Sequence, residues 1–176
     1  QNTDPVQQAA RRYLADQGIS PATAIAARLG CLKHHCAGKG DKNTSGMVHP
    51  CIAYVNYLNG QPINAKYRSC DPSNPQPSPQ EEKTEKPVYT KCWSQDSPTT
   101  PCAPYNIDCI NPLLVTTEEN IQRLIITEGE KDTLSLLEAG YQYVISMPNG
   151  AASEPAKAFE AFTPWLNQVL SLIHIS

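Results

Sequence analysis

The chain has 176 residues, 40% of them apolar and 18% charged, with a formal net charge of −3. That length can bury one core or two small ones. No apolar run approaches the roughly 20 residues of a membrane span, and the polar start Gln1-Asn2-Thr3-Asp4 lacks the basic segment of a secretory signal. Without an initiator Met, the N-terminus is expected to be a cut. Up to Leu114 there are 11 Lys and Arg against 9 Asp and Glu; from Val115 onward there are 3 against 8. A mildly basic part followed by an acidic part suits a polyanion-binding region joined to one that gathers carboxylates. Seven irregularly spaced cysteines fit reduced thiols in a cytoplasm.

In chain order, Pro5 to Ala15 reads as a helix with Ala9, Ala10, Tyr13 and Leu14 on one side, stopped by Gly18. Ser20-Pro21 starts a second helix, with Ser as cap and Pro in the first turn, running past Leu29 to Gly30. Cys31, His34, His35 and Cys36 look like metal ligands, but the two cysteines are too far apart in sequence for a zinc knuckle, and His49 and Cys51 would have to complete the set. A loop with incidental Cys and His is the expectation there. Gly38 to Thr44 misses the register of a phosphate loop.

Val48 to Leu58 reads as a strand, Asn59-Gly60 as a two-residue hairpin turn, and Pro62 to Ser69 as the return strand. In that strand Ile63, Ala65 and Tyr67 alternate with Asn64, Lys66 and Arg68, so both cations share a face. Asp71 to Pro87, rich in Pro, Ser and Glu, reads as an exposed insertion. Val88 to Trp93 resumes a strand that carries Lys91.

From Thr116 the pattern becomes alternating α/β. A helix start at Thr116 to Glu119 precedes a buried strand at Arg123 to Thr127, a helix at Lys131 to Ala139, a strand at Tyr143 to Ser146, and a helix from Ser153 that Pro164 should interrupt. The informative stretch is Leu124-Ile125-Ile126-Thr127-Glu128-Gly129-Glu130-Lys131-Asp132. It places Glu128 at the end of an apolar strand, where open parallel sheets bind ligands, and Asp132 about one helical turn further on. Gly129 is expected to let the chain turn sharply, and hard oxygen donors in this setting suit Mg²⁺. The plainer alternative is acidic residues favoured by the helix dipole.

This segment resembles the first motif of the Toprim family, and Val144 to Ala151 resembles the next Toprim element. Upstream, Tyr13 to Ser20, the run from His49 to Arg68 with its Lys66-Tyr67-Arg68, Lys91-Cys92-Trp93, and Tyr105 to Asp108 are together similar to the polymerase core of phage-type primases and primase-helicases. The resemblance spans about residues 10 to 165. It implies an α+β basic subdomain over 1–114, followed by an incomplete α/β Toprim subdomain, Rossmann-like with a parallel sheet, over 115–169. It implies template-directed synthesis of RNA primers with Mg²⁺ (or Mn²⁺) as cofactor. Glu128 would be catalytic and bind metal, Asp132 would support it, and Lys66, Arg68 and Lys91 would hold nucleotide and template. The implied partners are a single-stranded DNA template, ribonucleoside triphosphates and a replicative helicase, fused or separate, with no membrane.

Three features depart from the family pattern. The insertion from Asp71 to Pro87 separates Arg68 from Lys91, Cys92 stands where an aromatic residue is commoner, and the Asp-x-Asp pair that holds most of the family's metal is absent. Leu170 to Ser176 reads Leu-Ser-Leu-Ile-His-Ile-Ser, which a transposase mosaic-end adapter encodes in one frame. Residues 170–176 are therefore expected to be translated adapter, with a genuine apolar strand as the alternative, and His174 to carry no function. A chain with one carboxylate motif is expected to be inactive by itself. Toprim also serves nucleases and topoisomerases, and a non-catalytic nucleic-acid-binding module is a third possibility.

Overall fold

In the computed structural model, residues 4–35, 48–71, 93–95, 103–112, 121, 123–148, 159–167, 169 and 172–175 are described. Helix α1 spans Pro5–Asp16; Asp4 caps it by accepting a hydrogen bond from the Val6 N–H at 3.0 Å. Its buried residues Val6, Ala10, Tyr13 and Leu14 recur at helical spacing and form one face. Gly18, at φ 74°, turns the chain out of the helix, and Ser20 caps α2, Pro21–Ala26. Helix α2 ends earlier than the sequence suggests. Arg28 adopts φ 52° and the Leu29 N–H closes onto the Ala24 carbonyl, which redirects the chain into a strand.

That strand, β1, Gly30–His35, replaces the loop expected at the Cys/His cluster. It pairs antiparallel with β2, Val48–Leu58, from Gly30 opposite Ala53 to His35 opposite Val48. As an edge strand with mostly exposed side chains, it lacks the apolar alternation by which strands are recognised. Gly30 brings β1 close against Ala53 of β2, since a Cβ there would lie 3.3 Å from the Ala53 side chain. The hairpin to β3, Gln61–Ser69, is as expected. Asn59 and Gly60 have φ 53° and 76°, the two positive values that a type I′ turn demands. Strand β4, Trp93–Gln95, pairs with β3 and completes the sheet in the order β1-β2-β3-β4. It overlaps the strand expected at Val88 to Trp93 only at Trp93; Lys91, the rest of that strand and residues 72–87 of the expected insertion lie outside the described residues.

A 3₁₀ turn, Ile107–Ile110, leads towards the second sheet. Here β5, Leu124–Thr127, lies between β6, Val144–Ser146, and β7, Leu172–Ile175, all parallel. Helix α3, Glu130–Glu138, links β5 to β6. The helix start expected at Thr116 and the residues 149–158 lie outside the described set; beyond a turn at Ala161 and Phe162, Pro164 sits in the first turn of a new short helix α4, Thr163–Leu166. Strand β7 comes from the heptapeptide discussed above. Its pairing reflects the strand propensity of Leu-Ile-His-Ile and says nothing about the origin of its codons.

The sheets share a core. Ile52 and Tyr54 of β2 pack with Ala10, Tyr13 and Leu14 of α1, with Tyr105, and with Leu134 of α3. A second cluster joins Ile107, Ile110, Leu124, Ile145 and Phe162 beneath the parallel sheet, with Leu58 and Ile63 of the hairpin packed against it. Among the described residues, no helix is long and apolar enough to cross a membrane.

Candidate functional site

The site forms where the two sheets meet, at the C-terminal ends of β5 and β6. Thr127 closes β5 and is fully buried, and its Oγ1 lies 2.7 Å from Oγ1 of Thr133 in α3 and donates within reach of the Gly129 carbonyl at 3.1 Å. The Met147 N–H donates to the Thr127 carbonyl at 2.8 Å, which aligns the ends of the two strands. These bonds fix the turn that presents Glu128, Glu130 and Asp132. Gly129 does not act as the sequence suggests. Its φ of −141° is extended backbone open to any residue, and a Cβ there would be in ordinary contact, 3.5 Å from Asp132 Oδ2. The sharp turn comes from the Thr127–Thr133 bracket and the start of α3 instead.

Glu128 and Asp132 are both exposed at this edge, within the first turn of α3 or just before it. Backbone N–H groups at a helix start favour such carboxylates. Glu130 behaves differently. Its Oε1 accepts from Lys66 Nζ at 2.5 Å, across 64 residues of sequence, with side chains only 16% (Lys66) and 18% (Glu130) exposed. Lys66 also donates to the Pro148 carbonyl at 2.6 Å, just past the end of β6. The cation of β3 is thereby clamped to the ends of both parallel strands. Arg68 lies two residues along the same strand and is exposed.

These cations lie opposite buried residues of β2. Lys66 is opposite Tyr54 and Arg68 is opposite Ile52, both buried. Among the described residues, the Tyr54 hydroxyl has no hydrogen-bond partner. Burial pushes its phenol well above the ordinary value, with Tyr13 and Tyr105 adding to the shift and Arg68 opposing it. Asn64, on the same face, is also buried.

Two further carboxylates make long-range ties. Asp108, in the 3₁₀ turn, accepts from the Asn59 and Gly60 N–H groups at 2.9 and 2.8 Å, fastening the hairpin turn. Glu138, at the end of α3, accepts from the Ser20 N–H at 2.8 Å and the Ser20 hydroxyl at 2.9 Å. A hydrogen bond from Thr23, followed by those from Ser20, holds the Glu138 carboxyl below the usual range.

The structure thus brings Lys66 to Glu130 and the Pro148 carbonyl, with Glu128 and Asp132 two residues to either side of Glu130 and Arg68 two residues along β3, while Lys91 lies outside the described residues. Sequence reasoning missed Glu130, the Pro148 carbonyl, Tyr54 and the role of Asp108. For Glu130 a signal existed, since it alternates with Glu128 and Asp132, but a backbone carbonyl leaves none. Of the Cys/His cluster, Cys36 lies outside the described residues, and the described members do not converge. Cys31 and His34, three apart on a strand, face opposite sides; His34 stacks on Tyr67 at 3.8 Å, and His49 Nδ1 pairs with Asp71 Oδ2 at 2.7 Å. Among the described residues, no three His, Cys, Asp or Glu side chains converge as a metal site. Glu128 and Asp132 supply the hard oxygens that Mg²⁺ prefers, but they make only part of a coordination set.

The fold is that of the catalytic core of primases. The chain superposes on the primase fragment of the bacteriophage T7 primase-helicase with a TM-score of 0.56 and 18% identity, over 92% of this chain and 52% of that one. With a DnaG catalytic core the TM-score is 0.60 at 15% identity, over 97% and 55%; with the E. coli primase catalytic core it is 0.56 at 16%, over 97% and 56%. The chain therefore spans little more than half the length of these structures. No family model matches it, and no curated protein matches it in sequence.

Proposed function

We propose that this chain is part of a DNA primase, a template-directed RNA polymerase that makes primers during DNA replication. In this reading residues 1–114 are the basic subdomain and 115–169 part of a Toprim subdomain. The observation that carries it is the clamp of Lys66 onto the strand ends beside Glu128. It supports a reading in which Lys66 would bind phosphate near a carboxylate, Glu128, that would bind metal, as nucleotidyl transfer requires. Glu128, supported by Asp132, would hold Mg²⁺ or Mn²⁺, which when bound supplies neutralising charge to the triphosphate and activates the attacking 3′-hydroxyl. Arg68 would bind phosphates of nucleotide or template bidentately, and Lys66 and Lys91 as point charges. The 3′-oxygen attacks the α-phosphorus of a ribonucleoside triphosphate and pyrophosphate leaves. A structural neighbour, a DnaG primase catalytic domain, was solved bound to single-stranded DNA, and the phage neighbour belongs to a primase-helicase, which supports a DNA template and a helicase as partners.

The test uses the full-length protein that contains this chain. Labelled ribonucleotide incorporation on single-stranded DNA should appear with Mg²⁺, and Glu128→Gln should reduce it at least a hundredfold while DNA affinity stays within about twofold. Wild-type-like synthesis by Glu128→Gln would remove Glu128 from the mechanism, and plasmid cleavage or relaxation in place of synthesis would point to a nuclease or topoisomerase. The incomplete carboxylate set among the described residues favours a second reading for the 176-residue chain alone: nucleic-acid binding without catalysis, steeply weakened by salt and indifferent to Mg²⁺.

A further inference from the structure

Lys66 is an unusual phosphate ligand, because its charge is already answered. An ammonium has three N–H groups, and here one is committed to Glu130 and one to the Pro148 carbonyl. The ion pair is short and mostly buried, so the attraction is weakly screened and the pair presents little net charge. A bare polyanion approaching this edge meets that neutral pair together with the exposed carboxylates of Glu128 and Asp132. To bind Lys66 it must displace Glu130, and the released carboxylate then stands beside it as a third like charge. A triphosphate that arrives with a divalent cation escapes this penalty. Its phosphate takes Lys66 while its cation compensates the carboxylates, so two ion pairs exchange for two others and no charge is left unanswered.

We propose that Glu130 is a specificity-determining residue: it holds Lys66 in a neutral pair and releases it only to a phosphate ligand that carries a divalent cation. This inference rests on the nucleotide-binding reading of the site, and it concerns a residue to which that reading assigns no role. The same pairing would keep the backbone of bare nucleic acid from occupying Lys66.

The experiment is titration of the 176-residue chain with ATP, in EDTA and in Mg²⁺, for wild type, Glu130→Gln, Lys66→Ala and the double variant, with amide exchange confirming that each is folded. In EDTA, Glu130→Gln should bind ATP about tenfold more tightly than wild type, because the cation is unmasked. That gain should shrink in high salt and vanish in the double variant. Mg²⁺ should strengthen ATP binding markedly in wild type and much less in Glu130→Gln. Glu130→Asp, which keeps the charge but shortens its reach, should fall between and serves if the Gln variant does not fold. Metal-free affinity that is unchanged or weakened in Glu130→Gln overturns the inference. If wild type binds ATP and Lys66→Ala abolishes it while Glu130→Gln changes nothing, the gate alone fails. If no protein binds ATP under either condition, the nucleotide reading fails as well.

Discussion

The two sheets differ in how they hold their register. The antiparallel sheet is built on strands of 11 and 9 residues joined by a two-residue turn, so its pairing is local and largely self-specified. The parallel sheet uses strands of three and four residues, brought together from positions 124 to 175. Strands that short cannot hold a register alone, and they depend on what crosses from the other half. Leu134 enters the core of α1 and β2, Glu138 accepts from Ser20 at the start of α2, and Lys66 reaches the strand ends. The polar chemistry gathers where a self-sufficient scaffold meets a dependent one. A cation on a long strand thus adds a tie to a carboxylate-bearing turn that the Thr127–Thr133 bracket already fixes.

That comparison is most strongly challenged at Leu134. It belongs to the dependent half yet is fully buried in the shared core. Leu134→Ala should cost about 3 kcal/mol. If the halves are coupled, amide protection in β2 and β5 should fall together in one transition; loss confined to β5 and β6 would show that the core is not shared. Asp108→Ala leaves the Asn59 and Gly60 N–H groups without their carboxylate and should cost about 2 kcal/mol, read as a lower denaturation midpoint. An unchanged midpoint would mean that water replaces the carboxylate at no cost, and that the turn needs no anchor.

The smallest effect concerns Glu138. Its carboxyl is held below the usual range in the folded chain, so the stability it contributes is present above the unfolded pKa and is lost as pH falls through the lower folded value. In an NMR titration Glu138 should therefore titrate below the ordinary glutamate range, and Ser20→Ala should move it back up. A Glu138 that already titrates at the ordinary value would dissolve this tie between α2 and α3.

Legibility in the sequence follows the same division. The hairpin was readable because Asn59-Gly60 and the period-two alternation are local signals, and the β5–α3–β6 unit because a short apolar strand precedes an acidic helix start. β1 was not readable, since an exposed edge strand needs only backbone pairing and leaves no apolar pattern. The early end of α2 depends on Arg28 in a left-handed conformation, which side-chain type does not announce. At the site, the positions of Glu128, Asp132, Lys66 and Arg68 on their elements were inferable, but the partner of Lys66 was not. An ion pair spanning 64 residues depends on the packing of two sheets, and its third member is a backbone carbonyl.

The central claim is that β3 and the end of β5 form one nucleotide site. Hydrogen exchange of the chain with and without Mg²⁺ and ATP tests it directly. The account predicts that the nucleotide slows exchange at residues 64–68 and at 127–133 together, with the same dependence on ATP concentration. Protection of one segment without the other, or of neither, would contradict it.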